Sequence, residues 1–163
     1  MAKKIPFTAK EMEKAWLRNI SAYQKTPLPR TNSHRLLLFY AVECGLKTMF
    51  MKKKKCPRTD LDSFRDIIEC GHSINDLLDC VKAQGNLKLP DIRMEDIPDK
   101  RNNKKNKQEK RKLDSGQINQ MWRYGGNVIS TITPKKEEQA SDEDIENKLL
   151  VIAKWIAGEI EKI

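Results

Sequence analysis

Few residues in this chain have the types needed for acid–base, nucleophilic or metal chemistry. There are two histidines, His34 and His72, and four cysteines, Cys44, Cys56, Cys70 and Cys80. No two cysteines make a C-x-x-C pair, and the histidines do not complete a zinc ligand set with them. No Gly-rich phosphate loop, paired Ser/His/Asp arrangement or acidic cluster at a recognisable metal spacing is present. The sequence therefore argues against a nucleotide hydrolase or a metalloenzyme, and implies neither a cofactor nor a metal. What remains is cationic. The segment KRNNKKNKQEKRK carries eight basic residues against one acid: Lys100, Arg101, Lys104, Lys105, Lys107, Lys110, Arg111 and Lys112. Lysines on such a run can contact phosphates and release counterions; a solvated insertion, or an arm that orders on a protein subunit, are the other roles open to it. A second candidate is Arg123 with Tyr124 in MWRYGG. An arginine beside an aromatic suits phosphate binding and base stacking on single-stranded RNA. The alternative makes Trp122 a core residue and pairs Arg123 with an acid such as Glu43.

The net charge of +9 over 163 residues fits an anionic partner, nucleic acid before an anionic membrane. The best membrane candidate is interrupted by Glu43, Gly45 and Lys47. The opening MAKKIPFTAKEMEKAW has no apolar signal core. The expectation is a reduced, soluble, cytoplasmic protein with free thiols and no membrane partner.

These residues have to be positioned by helices. From Leu36 to Met51 the chain is almost wholly apolar, contains no Pro, and ends in four lysines. A run of this length reads as a helix that must be covered on most sides. Its terminal lysines face the negative end of its macrodipole, and Asn32 or Ser33 is placed to cap its start. Glu43 and Lys47 lie one turn apart in the order that stabilises a helix, or could face a cleft or a dimer partner. Ahead of it, Thr8 and Glu11 form a capping box opening a helix with apolar Met12, Ala15, Trp16, Ile20 and Tyr23. After Pro57, two short helices follow, one closed by Gly71 and one capped by Ser73. Neither is long enough to stand alone.

Residues 86–115 lose all periodicity, are broken by Pro90 and Pro98, and read as a basic flexible insertion. NVISTIT could be extended, but no partner strand is evident; KKEEQ reads as a polar linker. The last helix starts at Ser141 and carries a stripe of Ile145, Leu149, Ile152, Ile156, Ile160 and Ile163. The expected architecture is a single all-α domain over 1–163. It is a bundle with long helices at about 8–25, 33–54 and 142–163 and short helices between.

LLLFYAVECGLKTMFMKKKK followed by GHSINDLLD resembles HEPN domains, over roughly residues 33–82. That family places an Ala-x-Glu-x-x-Leu-Lys helix, here Ala41, Glu43, Leu46 and Lys47, before a His-Asp-Leu helix start. The counterparts of that start are Gly71, His72, Leu77 and Leu78. Here Ser73-Ile74-Asn75 separates His72 from Asp76, where the family more often has His directly before Asp. The resemblance implies a dimerising helical bundle of bacterial toxin–antitoxin or anti-phage defence, often a metal-independent ribonuclease. The nuclease signature is an Arg, a polar residue, and a His after four to six intervening positions. Arg65-Asp66 with His72 has that form; Arg30 and His34 do not. Arg65 would hold phosphate while the His72 imidazole moves a 2′-hydroxyl proton. The other role open to His72 is local hydrogen bonding or capping. Two functions follow as expectations. One is an RNA-associated, dimeric defence or toxin protein that binds or cleaves RNA. The other is a non-catalytic scaffold subunit that holds a protein partner.

Overall fold

The computed structural model describes residues 4–98 and 108–163. Six helices and a four-stranded sheet occur among them, which corrects the all-α expectation to a mixed α/β fold. In chain order the helices are α1 (Ala9–Gln24), α2 (Asn32–Lys53), α3 (Arg65–Cys70), α4 (Ile74–Cys80), α5 (Ile118–Arg123) and α6 (Asp142–Glu161). The strands are β1 (Asp91–Pro98), β2 (Gln108–Leu113), β3 (Ser130–Ile132) and β4 (Glu137–Gln139).

The apolar run forms α2, half of whose residues are buried, and Leu38, Phe39, Ala41, Val42, Leu46 and Met49 have no exposed surface. α1 and α6 cover it most extensively, with α5 and α4 completing the shell. Gly45 sets how closely they approach. A Cβ there would lie 2.8 Å from Trp16 Cε3 of α1 and 2.9 Å from Ile156 Cγ2 of α6. One of the three residues that interrupt the apolar run is thus where three helices meet.

Reciprocal capping boxes start the long helices, Thr8 with Glu11 on α1 and Ser141 with Asp144 on α6. The cap of α2 is Thr31, one residue ahead of Asn32. Its side chain accepts from the His34 N–H, while His34 Nδ1 accepts from the Thr31 N–H at 3.1 Å. His34 therefore fills the place a Glu or Gln takes in the usual box. On α4, Ser73 accepts from the Asp76 N–H as the cap.

A buried ion cluster ties α1, the following linker, α2 and α6 together. Glu146 of α6 is 4% exposed; it pairs with Arg35 Nε at 2.8 Å and Arg30 Nη1 at 3.6 Å, and accepts a hydrogen bond from the Tyr23 hydroxyl. Arg30 lies over the Tyr23 ring, 4.2 Å from its centroid. Burial and the Glu146 carboxylate push the Tyr23 phenol well above its ordinary value.

The sheet corrects the reading of 86–98 and 108–115 as pattern-free, of NVISTIT as unpaired and of KKEEQ as a linker, while 99–107 lie outside the described residues. Its order is β2-β1-β3-β4, all antiparallel. Ile92, Met94 and Leu113 turn to the core, and the register sets Ile92 opposite Leu113. The other face is held by charge pairs. Arg93 meets Glu137 at 2.7 Å, and Ser130 donates to the same carboxylate, so Glu137 stays below the usual carboxylate range. Lys112 lies 3.4 Å from Asp91. The sheet is pinned to the helical layer by Asn75, whose amide donates to the Leu89 carbonyl and accepts from the Leu89 N–H, both at 2.8 Å. The Asn75 N–H in turn donates to the buried Ser115 hydroxyl at 3.0 Å.

Candidate nucleic-acid interface

α5 buries Ile118, Met121 and Trp122 and ends on the surface at Arg123. Trp122 is anchored by its indole N–H, which donates to Asp142 Oδ1 at 2.7 Å; the Val128 N–H shares that oxygen at 3.1 Å. One carboxylate at the start of α6 thus fixes both sides of the turn between them. The turn needs its glycines. Gly125 has φ +83, and a Cβ on Gly126 would come within 2.8 Å of Met121 Cγ. Asn32, at the start of α2, donates to Gly126 O at 3.1 Å and to Asn127 Oδ1 at 2.9 Å.

Held this way, the turn presents Arg123 and Tyr124 outward. Tyr124 is 77% exposed, against 3% for Trp122 two positions earlier. The Arg123 guanidinium carbon lies 5.8 Å from the Tyr124 ring centroid, within cation–π range. Arg123 does not pair with Glu43. It donates to the Tyr40 hydroxyl at 2.6 Å, and that bond, then Tyr124, holds its guanidinium above its ordinary value.

β2 brings the basic run alongside. Arg111 and Tyr124 line one recess of about 150 Å³ with Met94, Glu95 and the Gly125–Asn127 turn. Arg111 is aimed there by its Nε, which donates to the Glu95 carbonyl at 2.8 Å across the β1–β2 pair. The alternation of a strand puts Lys110 and Lys112 on the opposite face from Arg111, both exposed. Lys100, Arg101, Lys104, Lys105 and Lys107 lie outside the described residues.

Comparison with protein-family models, curated proteins and solved structures finds no match. Chemistry must therefore be read from the chain itself. An exposed aromatic face flanked by two guanidiniums, with one acid, Glu95, on the rim, can stack a base and hold the adjoining phosphates. The charge-assisted hydrogen bonds of Arg suit phosphate oxygens better than those of Lys.

The histidine motif is distributed differently. His72 Nδ1 lies 2.9 Å from Glu43 Oε1, and Lys47 Nζ reaches the same oxygen at 2.9 Å. Glu43 is buried while the His72 side chain is 57% exposed. A carboxylate that orients an exposed imidazole is the geometry of a general base. Arg65 is not at this site among the described contacts. It pairs with Asp62 at 3.1 Å and lines a separate recess of about 390 Å³ with Ile5, Leu61 and Ile68. The cation brought to Glu43 is Lys47, already engaged with it. Among the described residues no group of three or more His, Cys, Asp or Glu could hold a metal ion, and no helix is long and apolar enough to cross a membrane.

Sequence reasoning missed Asn32 and Asn127 as the supports of the turn and the Glu43–His72 contact. The Gly-Gly-Asn run was the available signal for the first. For the second, 29 residues of separation left none.

Proposed function

We propose that this chain is an RNA-associated protein that binds a single strand across the Arg123–Tyr124 turn and the adjoining edge of β2, and that it binds rather than cleaves. The observation that carries the reading is the recess shared by Arg111 and Tyr124. Two candidate groups from separate stretches of sequence meet there, one a cation and the other an exposed ring. The high positive charge supports an anionic ligand. The resemblance of residues 33–82 to HEPN domains is the basis for placing the protein in a bacterial defence or toxin–antitoxin system. It is also the basis for proposing a cytoplasmic homodimer that works beside a protein partner.

The test is fluorescence anisotropy of the purified protein with a labelled single-stranded RNA at several salt concentrations. Tyr124→Ala is expected to weaken binding roughly 5- to 150-fold, the loss of ~1–3 kcal/mol of stacking on one base. Arg111→Ala and Arg123→Ala should each lower the slope of log affinity against log salt by about 0.7. Affinity and slope that survive all three substitutions would overturn the assignment of this surface.

A second reading, ribonuclease action, is favoured by the Glu43-oriented His72 imidazole. Incubation with tRNA and mRNA separates the two readings. Intact RNA is expected; cleavage that disappears in His72→Ala would replace binding by catalysis. Absence of both binding and cleavage would favour the scaffold role.

A further inference from the structure

Cys70 and Cys80 close α3 and α4, and their sulfurs stand 3.2 Å apart. That is ~1.2 Å beyond the ~2.0 Å length of a disulfide bond, so a small adjustment of two side chains would join them. Both thiols are free and half-buried. They are not equivalent. Cys70 also lies 3.2 Å from the Asp66 carbonyl, and burial, then its contact with Cys80, pushes its thiol up to about 12. Cys80 opens into a recess of about 220 Å³ whose other walls are Phe50, Val81 and three lysines, Lys53, Lys54 and Lys82. All three lysines are exposed. A partly exposed sulfur at the end of a lysine-lined recess can be reached by a small anionic reagent, which the surrounding positive charge attracts.

We propose that Cys80 and Cys70 form a thiol–disulfide exchange site that accepts a small anionic disulfide through the lysine-lined recess. The Cys80 thiolate attacks one sulfur of the small disulfide. A new S–S bond forms to Cys80, the old one breaks, and one small thiolate leaves and takes up the proton Cys80 has given up. The Cys70 sulfur then attacks Cys80 Sγ, which expels the second small thiol together with the proton lost by Cys70. Two protein thiols are oxidised to one disulfide, and one small disulfide is reduced to two thiols. The bridge closes a ring over residues 70–80. That segment contains His72 and the Ser73 cap of α4, so oxidation would tether the loop that rests on Glu43.

The site is independent of the RNA reading and is tested on the full chain with oxidised glutathione as the anionic probe and cystamine as the cationic one. Mass spectrometry of the intact protein should show loss of two hydrogens, and peptide mapping should assign the bridge to Cys70 and Cys80. Oxidised glutathione is expected to react about tenfold faster than cystamine, after normalising each to its rate with a free thiol. The Lys53→Gln/Lys54→Gln protein should lose most of that preference. Cys70→Ser should stop at a mixed disulfide on Cys80, whereas Cys80→Ser should give neither product. A mixed disulfide that accumulates on Cys70, a bridge to Cys44 or Cys56 instead, or equal rates for the two probes would overturn the proposal. So would a wild-type protein that keeps four free thiols.

Discussion

Glu43 is the residue on which the interior chemistry turns, because it is a buried carboxylate with two partners of different standing. Lys47 is on the same helix one turn away, and its pairing was legible from spacing alone. His72 arrives from the loop after α3, and only the packing of α4 on α2 brings it there. Glu43→Ala would leave the Lys47 ammonium without its carboxylate and a void in α2. Urea denaturation should register a loss of about 2–3 kcal/mol. His72→Ala removes a mostly exposed ring and should cost less than about 1 kcal/mol, so a large loss would mean that His72 is structural. Cys44, next to Glu43, has its thiol pushed up to about 11, first by burial and then by the Glu43 charge. An acid held above its unfolded value keeps its proton longer in the folded chain than in the unfolded one. Stability is therefore full below the unfolded thiol value and falls as pH rises through the folded one. Thermal unfolding followed from pH 8 to 11 should show a decline that Cys44→Ala makes shallower.

Among the elements, the long helices could be read from the sequence because each satisfies its own hydrogen bonds, and α1 and α6 also announce themselves by N-terminal caps and a periodic apolar face. α1 starts at the expected capping box, α6 starts at the expected Ser141, and Gly71 closes α3 with φ +56. The cap of α2 falls on Thr31 rather than Asn32 or Ser33; the Asn32 side chain is committed elsewhere, its Nδ2 donating to the Gly126–Asn127 turn and its Oδ1 accepting from Arg35. The sheet could not be read in the same way. β2 carries one buried apolar residue, Leu113, and β4 none, so the two-residue period is written in charges. A strand needs partners elsewhere in the chain. Here the partners are Arg93 with Glu137 and the Ile92–Leu113 pair, separated by runs that look like linkers. α2 itself yields a sharp prediction at Gly45. Alanine there gains about 1 kcal/mol of helix propensity, yet its methyl must displace the Trp16 ring and Ile156. Overpacking of that kind costs ~1–3 kcal/mol or more. Gly45→Ala should therefore destabilise the protein in urea, and a stabilised variant would show that α1 can withdraw from α2.

At the scale of the whole molecule, the buried Glu146 cluster and the Arg111–Tyr124 recess do different work. The cluster joins α1, α2 and α6 through one carboxylate, so Glu146→Ala should cost about 3–5 kcal/mol, because Arg35 keeps its burial and loses its counterion. The recess lies where the sheet edge meets the α5 turn, and it should be dispensable for folding. Tyr124→Ala should leave the thermal midpoint within about 2 °C of wild type, since an exposed side chain contributes little. That separation between a stabilising centre and an expendable surface is what a binding role requires. The measurement that tests it most directly is photo-cross-linking of a single-stranded RNA carrying 4-thiouridine, with the attached peptide identified by mass spectrometry. Cross-links are expected within residues 108–127, with Tyr124 the principal site, and high salt should abolish them. Cross-links confined to the Arg65 or His72 segments, or none at any salt concentration, would contradict the account.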